Sequence, residues 1–184
     1  FYEPETIRVA PFRGDVQYEE SRTFRTVSNL ALGDPVTFAT PPDRQFSGGP
    51  LTLTDGIFGT PGMETPFYDG TWDGWQGVDM DARIDLQQPT LVHSVDARFL
   101  QYGSAGIRAP SYVWFETSDD GVHWKLVDSL APQGSSDDAH PGVRNARFAP
   151  KAPITTRHVR VIAAPDDAVG PGSPWLVSDE IIVQ

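Results

Sequence analysis

Six glycines fall within the 27 residues from Leu53 to Asp79 (LTDGIFGTPGMETPFYDGTWDGWQGVD), together with two tryptophans three positions apart. Glycine weakens the interior of a helix or a central strand, because it adds backbone entropy to the unfolded chain and packs no side chain. The segment is therefore expected to be a structured loop held by a scaffold on both sides. Aromatic and carboxylate side chains fixed on such loops are where binding function concentrates.

The scaffold reads as all-β. Ala82, Ile84 and Leu86 alternate with Arg83 and Asp85, the two-residue period of a half-buried strand. Leu91–Gln101 follows as a longer strand, with Val95, Ala97 and Phe99 on one face. Val113 and Phe115 alternate with Tyr112, Trp114 and Glu116, and Ser118-Asp119-Asp120-Gly121 then supplies a hairpin turn with a glycine where positive φ is needed. Trp124–Ser129, Arg144–Phe148, His158–Ala163 and Leu176–Val183 complete the set, and Val36–Phe38 is a short strand upstream. No stretch of ten or more residues has helical period. Strands ten to fifteen residues apart with turns between them predict a β-sandwich. Residues 1–29 read as an appendage of two short strands, Thr6–Phe12 and Ser21–Val27, joined around Arg13-Gly14-Asp15; two strands need something else to pack on.

Composition narrows the function classes. The formal net charge is -11, from 25 acidic and 14 basic residues, a field that disfavours nucleic acid and anionic membranes as partners. There is no cysteine, hence no disulfide framework, thiolate metal site or cysteine nucleophile. No apolar run approaches the roughly 20 residues of a membrane-spanning helix. Phe1 opens no signal-peptide pattern, so the chain is expected to be a mature or excised piece.

Catalysis finds little support. Asp119-Asp120, Asp137-Asp138, Asp166-Asp167 and Asp179-Glu180 are adjacent carboxylates, whereas paired acid/base work needs two carboxyls facing one site. Three of the four pairs fall in turns, where solvated Asp residues bond their own backbone. His93, His123, His140 and His158 lack metal-ligand spacing. Two constellations remain. Asp55-Gly56 with Thr60 and the distant Glu180 offers the oxygen donors that a hard cation such as calcium prefers, although an Asp-Gly turn closing on itself fits the same residues. Trp72 and Trp75, with Asp73, Gln76 and Tyr68 close in sequence, offer the aromatic plane and planar polar groups that a sugar ring stacks on and bonds to. Gln101-Tyr102 at the end of a strand is expected to approach them. Two tryptophans three apart in a glycine-rich loop are not both expected to point inward, so one exposed ring is predicted. Trp114, Trp124 and Trp175, in or beside strands, are assigned to the core.

Taken in order, LTDGIFGT, W-x-G-W-Q-G-x-D, I-D-L, F-L-Q, S-x-D-G-x-x-W, H-V-R-V and P-W-L-V-S-D-E-I resemble the discoidin, or coagulation-factor C-type, domain. The variant at the C-terminus of bacterial β-N-acetylhexosaminidases is the most similar form. The resemblance spans residues 30–184 and implies a jelly-roll β-sandwich of the galactose-binding-domain-like kind. Residues 1–29 then correspond to the last strands of a small preceding β-domain. The implied role is a non-catalytic carbohydrate-binding module with a structural calcium, bound to an N-acetylhexosamine- or galactose-type glycan and to the catalytic domain of its parent enzyme. By position, Asp55 and Thr60 match the calcium loop and Glu180 the C-terminal acidic ligand, with carbonyls near Ile57 and Asp179 completing the shell. The loops bearing Trp72, Trp75, Gln76 and Gln101–Arg108 match the ligand-binding end. One departure stands out: the family's aromatic after F-L-Q is missing from YGSAGIRAP. Either Tyr102 or Arg108 takes over that contact, or the module binds no sugar and packs structurally on its catalytic partner.

Overall fold

The computed structural model describes residues 6–10, 12–17, 22–25, 27–61, 70–133, 140–166 and 174–184. Four short strands come first: β1 (Thr6–Val9), β2 (Phe12–Arg13), β3 (Val16–Gln17) and β4 (Arg22–Arg25). β1 pairs with β4, and β2 with β3 across a Gly14-Asp15 turn in which Gly14 takes φ 64°.

Nine further strands follow: β5 (Val36–Phe38), β6 (Asp73–Gln76), β7 (Met80–Val92), β8 (Val95–Gln101), β9 (Tyr112–Ser118), β10 (Lys125–Leu130), β11 (Gly142–Phe148), β12 (Ile154–Ala164) and β13 (Trp175–Val183). They form two antiparallel sheets, ordered β10-β9-β12-β7-β5 and β11-β8-β13-β6. Apart from these strands, the described residues contain two single 3₁₀ turns. The all-β sandwich expected from the alternation is the observed architecture, with the inward sets in place: Ala82, Ile84 and Leu86 on β7, Val113 and Phe115 on β9, Val159, Val161 and Ala163 on β12 are all buried. Against them, from the other sheet, pack Ala97, Phe99, Phe148, Leu176, Ile181 and Val183; the Phe115 and Phe148 rings stack at 5.9 Å.

Two strand assignments shift. Leu91 and Val92 belong to β7, which runs past Pro89, and the turn to β8 falls at His93-Ser94. The register breaks opposite this stretch, between Thr156 and His158, and Gln87 turns through φ 67° with its N–H donating to Asp85 Oδ1. A bulge thus carries the strand beyond Pro89, and the strand expected to start at Leu91 starts at Val95. The second shift lies in the glycine-dense segment, where Asp73–Gln76 is strand β6, hydrogen-bonded to β13 at the sheet edge. Gly74 is needed there because a Cβ would stand 2.7 Å from the Phe46 Cβ.

The outward face of the five-stranded sheet is charged and paired. Arg160 donates twice to Asp81 (2.8 and 2.6 Å) and once to Glu116 (2.8 Å), while Arg83 also holds Asp81 and Arg157 forks onto Asp85 at 2.8 Å. Trp114 and Trp124 lie on this face, half-buried, rather than in the core: Trp114 beside Tyr112 at 5.6 Å and Trp124 under the Arg160 guanidinium at 5.6 Å. The parity that sends Val113 and Phe115 inward necessarily sends Trp114 outward. Trp175 is likewise half-buried, packed on Phe46 at 4.8 Å.

Candidate functional site

A polar cleft of about 310 Å³ opens at the end of the sandwich where β8 finishes. Gln101, the last residue of β8, continues the inward series Val95, Ala97, Phe99 and is buried. Its Oε1 accepts the Ala109 N–H at 2.8 Å, which pins the 102–109 loop across the sheet end. That loop is also tied to β13, since Arg108 N–H donates to the Trp175 carbonyl and Trp175 N–H to the Gly106 carbonyl, both at 2.9 Å. Arg108 lines the cleft from this loop, Pro132 from the segment after β10, Asp166 from the end of β12, and Arg144 from β11. Arg144 alternates with the buried Ala146 and Phe148, so it enters from the core side. Its Nε is buried without a hydrogen-bond partner among the described residues.

A second cluster, acidic, sits on the flank of β13. A bulge between Ser178 and Glu180 breaks the alternation, and Asp179 and Glu180 are both fully buried. Asp179 is compensated: Arg98 donates to its carboxylate at 3.0 Å, Gly59 N–H adds a bond at 2.9 Å, and Phe58 covers the guanidinium at 4.1 Å. Burial still pushes the Asp179 carboxyl up to about 6, a rise that Arg98 limits. Glu180 accepts from Asn29 Nδ2 (2.9 Å) and Gly56 N–H (3.1 Å) and has no cationic partner among the described residues. Burial, and then repulsion from Asp55, pushes it up to about 8. Asp73 is pushed up to about 6 by burial, opposed by the Gly48 N–H, with Asp55 again adding repulsion. Asp73 Oδ2 is buried and has no hydrogen-bond partner among the described residues, a condition that costs about 1–3 kcal/mol. Asp55 itself closes the turn expected of an Asp-Gly pair, accepting the Ile57 N–H at 2.7 Å, and burial raises its carboxyl. Among the described residues no three acidic or histidine groups are arranged to hold a metal by themselves, so a cation here would depend on backbone or hydroxyl oxygens for the rest of its shell.

No family model matches the chain, and no curated protein matches it. Solved structures do. A CBM32 module from a family 31 glycoside hydrolase of Clostridium perfringens shares 15% identity at TM-score 0.55, covering 84% of this chain and 96% of that one. The C-terminal domain of a chitobiase from Bacteroides fragilis shares 19% identity at TM-score 0.51, covering 85% and 97%. The fold is that of the CBM32 modules. The chain also matches SpGH29 at 16% identity and TM-score 0.50, spanning 85% of this chain but 27% of that one. The discoidin-like sandwich read from the ordered motifs is therefore the fold observed.

Within this CBM32-like sandwich the expected sugar-binding residues separate. Gln101 and Arg108 line the cleft. Trp72 and Trp75 do not, and neither offers an exposed ring; each is 1% exposed. The expectation that one of them must be exposed fails because the four-stranded sheet is covered on both faces. Trp75, on β6, points between the sheets, where its Nε1 donates to the Thr40 carbonyl at 2.9 Å and its ring meets Phe38 at 5.5 Å. Trp72 lies on the opposite face in a second apolar cluster with Leu100, Ile107 and Val177. Gly59 lies against its indole so closely that a Cβ would approach Cε2 to 2.2 Å. Tyr102 is half-buried and packs on that same cluster, and Gln76 is exposed at the end of β6. Tyr68 lies outside the described residues. Of the expected cation ligands, Asp55 and Glu180 are near enough to repel one another, Ile57 and Thr60 are exposed, and the Asp179 carboxylate is taken by Arg98. Arg144 and the burial of Asp73 near Asp55 were not read from the sequence. The alternation Arg144, Ala146, Phe148 carries the signal for the first, an arginine on an otherwise inward face.

Proposed function

We propose that this chain is a non-catalytic carbohydrate-binding module appended to a glycoside hydrolase of the β-N-acetylhexosaminidase type in a secreted or periplasmic bacterial protein. The observation that carries the reading is the polar cleft at the loop end of a CBM32 fold, formed by Gln101, Arg108, Arg144 and Asp166. Recognition runs through these polar groups rather than through a tryptophan platform, since Trp72 and Trp75 serve packing. The glycan is of the N-acetylhexosamine or galactose type, held by hydrogen bonds from planar side chains. Isothermal titration of the whole chain with GlcNAc, GalNAc, galactose and chitooligosaccharides, calcium present, is expected to show binding. No heat at millimolar concentrations of every sugar sinks the proposal.

A structural calcium is part of the same reading. Asp55 and Glu180 would hold it between the 53–60 loop and β13, with Asp73 alongside and oxygens of Ile57, Thr60 and Asp179 completing the shell. Support comes from the donor chemistry: buried oxygen-only groups that repel one another and are pushed toward protonation in the absence of a positive charge. Bound there, the ion would supply that charge and tie the loop to the last strand.

A second reading, a structural module packed on its catalytic domain, is favoured by one observation: Leu32, Leu51 and Ile57 are all exposed around the loop that precedes β6. Deleting the module from the parent enzyme, with no change in its melting temperature or activity, removes that reading.

A further inference from the structure

We propose that a glycan held in the end cleft continues into a second groove along β11, where Gln133, Asn145, Arg147 and Asp96 bind a further neutral sugar unit. The inference rests on the carbohydrate-binding reading and adds the length of ligand recognised. The groove, about 610 Å³, is lined by Asp96, Leu130, Ala131, Gln133, Asn145 and Arg147. Ala131 also lines the end cleft, so the two spaces adjoin there. They lie where the sheets part, since β10 is the edge of one sheet and β11 the edge of the other. The segment after β10 crosses that gap. Gln133 N–H donates to the Asn145 carbonyl at 2.8 Å, and Asn145 N–H to the Gln133 carbonyl at 3.0 Å. A pair bonded in both directions fixes two of the groove's polar residues through their backbone and leaves their side chains to a ligand.

The side chains are those a hydroxyl-rich ligand needs. The Asn145 side chain is exposed and makes no hydrogen bond among the described residues. Gln133 donates from Nε2 to the Ala131 carbonyl at 3.2 Å and keeps its Oε1 to accept. Arg147 donates to the Asp96 carboxylate at 3.3 Å and to Ser94 Oγ at 3.2 Å, long bonds that leave further N–H groups to donate. By contrast Arg157 and Asp85, also at the surface, close to 2.8 Å twice over. Burial raises the Asp96 carboxyl against the opposing pull of Arg147 and Ser94, so an added donor is favourable there. Sugar hydroxyls both donate and accept, and vicinal pairs of them fit a carboxylate or a guanidinium fork. Asp96 and Arg147 answer each other's charge, so a neutral sugar meets both without isolating either. Leu130, packed against the main core, offers an apolar wall to the ring's C–H groups.

The test is titration of the full chain with GlcNAc against chitotriose, and with galactose against β-1,4-galactotriose. One of the trisaccharides is expected to bind at least about tenfold more tightly than its own monosaccharide, the scale of two ordinary hydrogen bonds. Asn145→Ala and Arg147→Gln are each expected to erase that gain while leaving affinity for the monosaccharide unchanged. Thermal melts establish that the variants fold. Asn145→Ala keeps the backbone bridge to Gln133, so it decides the matter if Arg147→Gln does not fold. Trisaccharide and monosaccharide binding within about tenfold of one another, for both sugars, overturns the inference and leaves carbohydrate binding standing. A gain that survives either substitution in a folded variant also overturns it, because the further units then lie elsewhere. No binding by any of the four ligands removes both readings together.

Discussion

Two carboxylate-rich regions of this molecule are built in opposite ways. On the outward face of the five-stranded sheet, Asp81, Asp85 and Glu116 each meet an arginine, and the ion pairs hold Asp85 down at about 2 and Asp81 below its ordinary value. On the flank of β13, Asp55, Asp73 and Glu180 meet one another, and burial drives them up. The first region is complete within the chain. The second gathers carboxyl groups that meet no cationic side chain among the described residues, and that asymmetry is the physical ground for proposing a cation there.

The largest expected effect breaks the comparison if it is absent. Saturating calcium at about 100 times its Kd should stabilise the fold by about 2.7 kcal/mol, roughly 5–11 °C in melting temperature for a domain of this size. Glu180→Gln should abolish this response and raise the melting temperature of the chelated protein. Scanning calorimetry with calcium and with chelator decides it; equal melts in both leave the flank as an ordinary acidic cluster.

Next in size is the pH response. With chelator present, Glu180 holds its proton more tightly in the folded state, at about 8, than at its ordinary 4.5. Its contribution is therefore full below that lower value and lost as pH rises toward 8. Asp85 behaves oppositely: its contribution is full above its ordinary 3.8 and lost as pH falls through about 2. Chelated protein should thus lose stability from about pH 5 to about pH 8, and calcium should flatten that slope. A chelated protein that gains stability over the same interval contradicts the assignment.

Arg160→Ala sharpens the other side. It removes three hydrogen bonds and the cover over Trp124, and leaves Asp81 and Glu116 short of partners in a half-buried setting. We expect a loss of about 1–3 kcal/mol in denaturant titration. Arg157→Ala should cost less than about 1 kcal/mol, since both partners are substantially exposed and water screens the pair. If Arg157→Ala costs more than Arg160→Ala, burial is not what grades these pairs.

Much of the sandwich was legible in the chain. The inward sets of β7, β8, β9 and β12 follow from alternation, and the Ser118–Gly121 turn from its glycine, which takes φ 71°. What failed did so for identifiable reasons. The spacing of Trp72 and Trp75 correctly implies opposite faces of an extended segment, but alternation does not say whether the second face meets water. Here Ile107, from a loop some thirty residues downstream, covers it. The break between β7 and β8 was misplaced because Pro89 interrupts the pattern while a bulge keeps the backbone paired. The candidate cleft was half legible: Gln101 and Arg108 lie in a recognisable loop, whereas Arg144 had to be read as an inward arginine rather than a surface one.

By itself, then, the sequence determined the alternation, the turns, the strong negative charge and the absence of cysteine, because these depend on neighbours along the chain or on simple sums. The tertiary structure alone decided which carboxylates would find arginines, which tryptophans would be covered, and that Arg108 and Arg144 would share one cleft. Those outcomes depend on pairings between segments far apart in the chain, such as β8 with β11 and β13, and on bulges that reset side-chain direction where they occur.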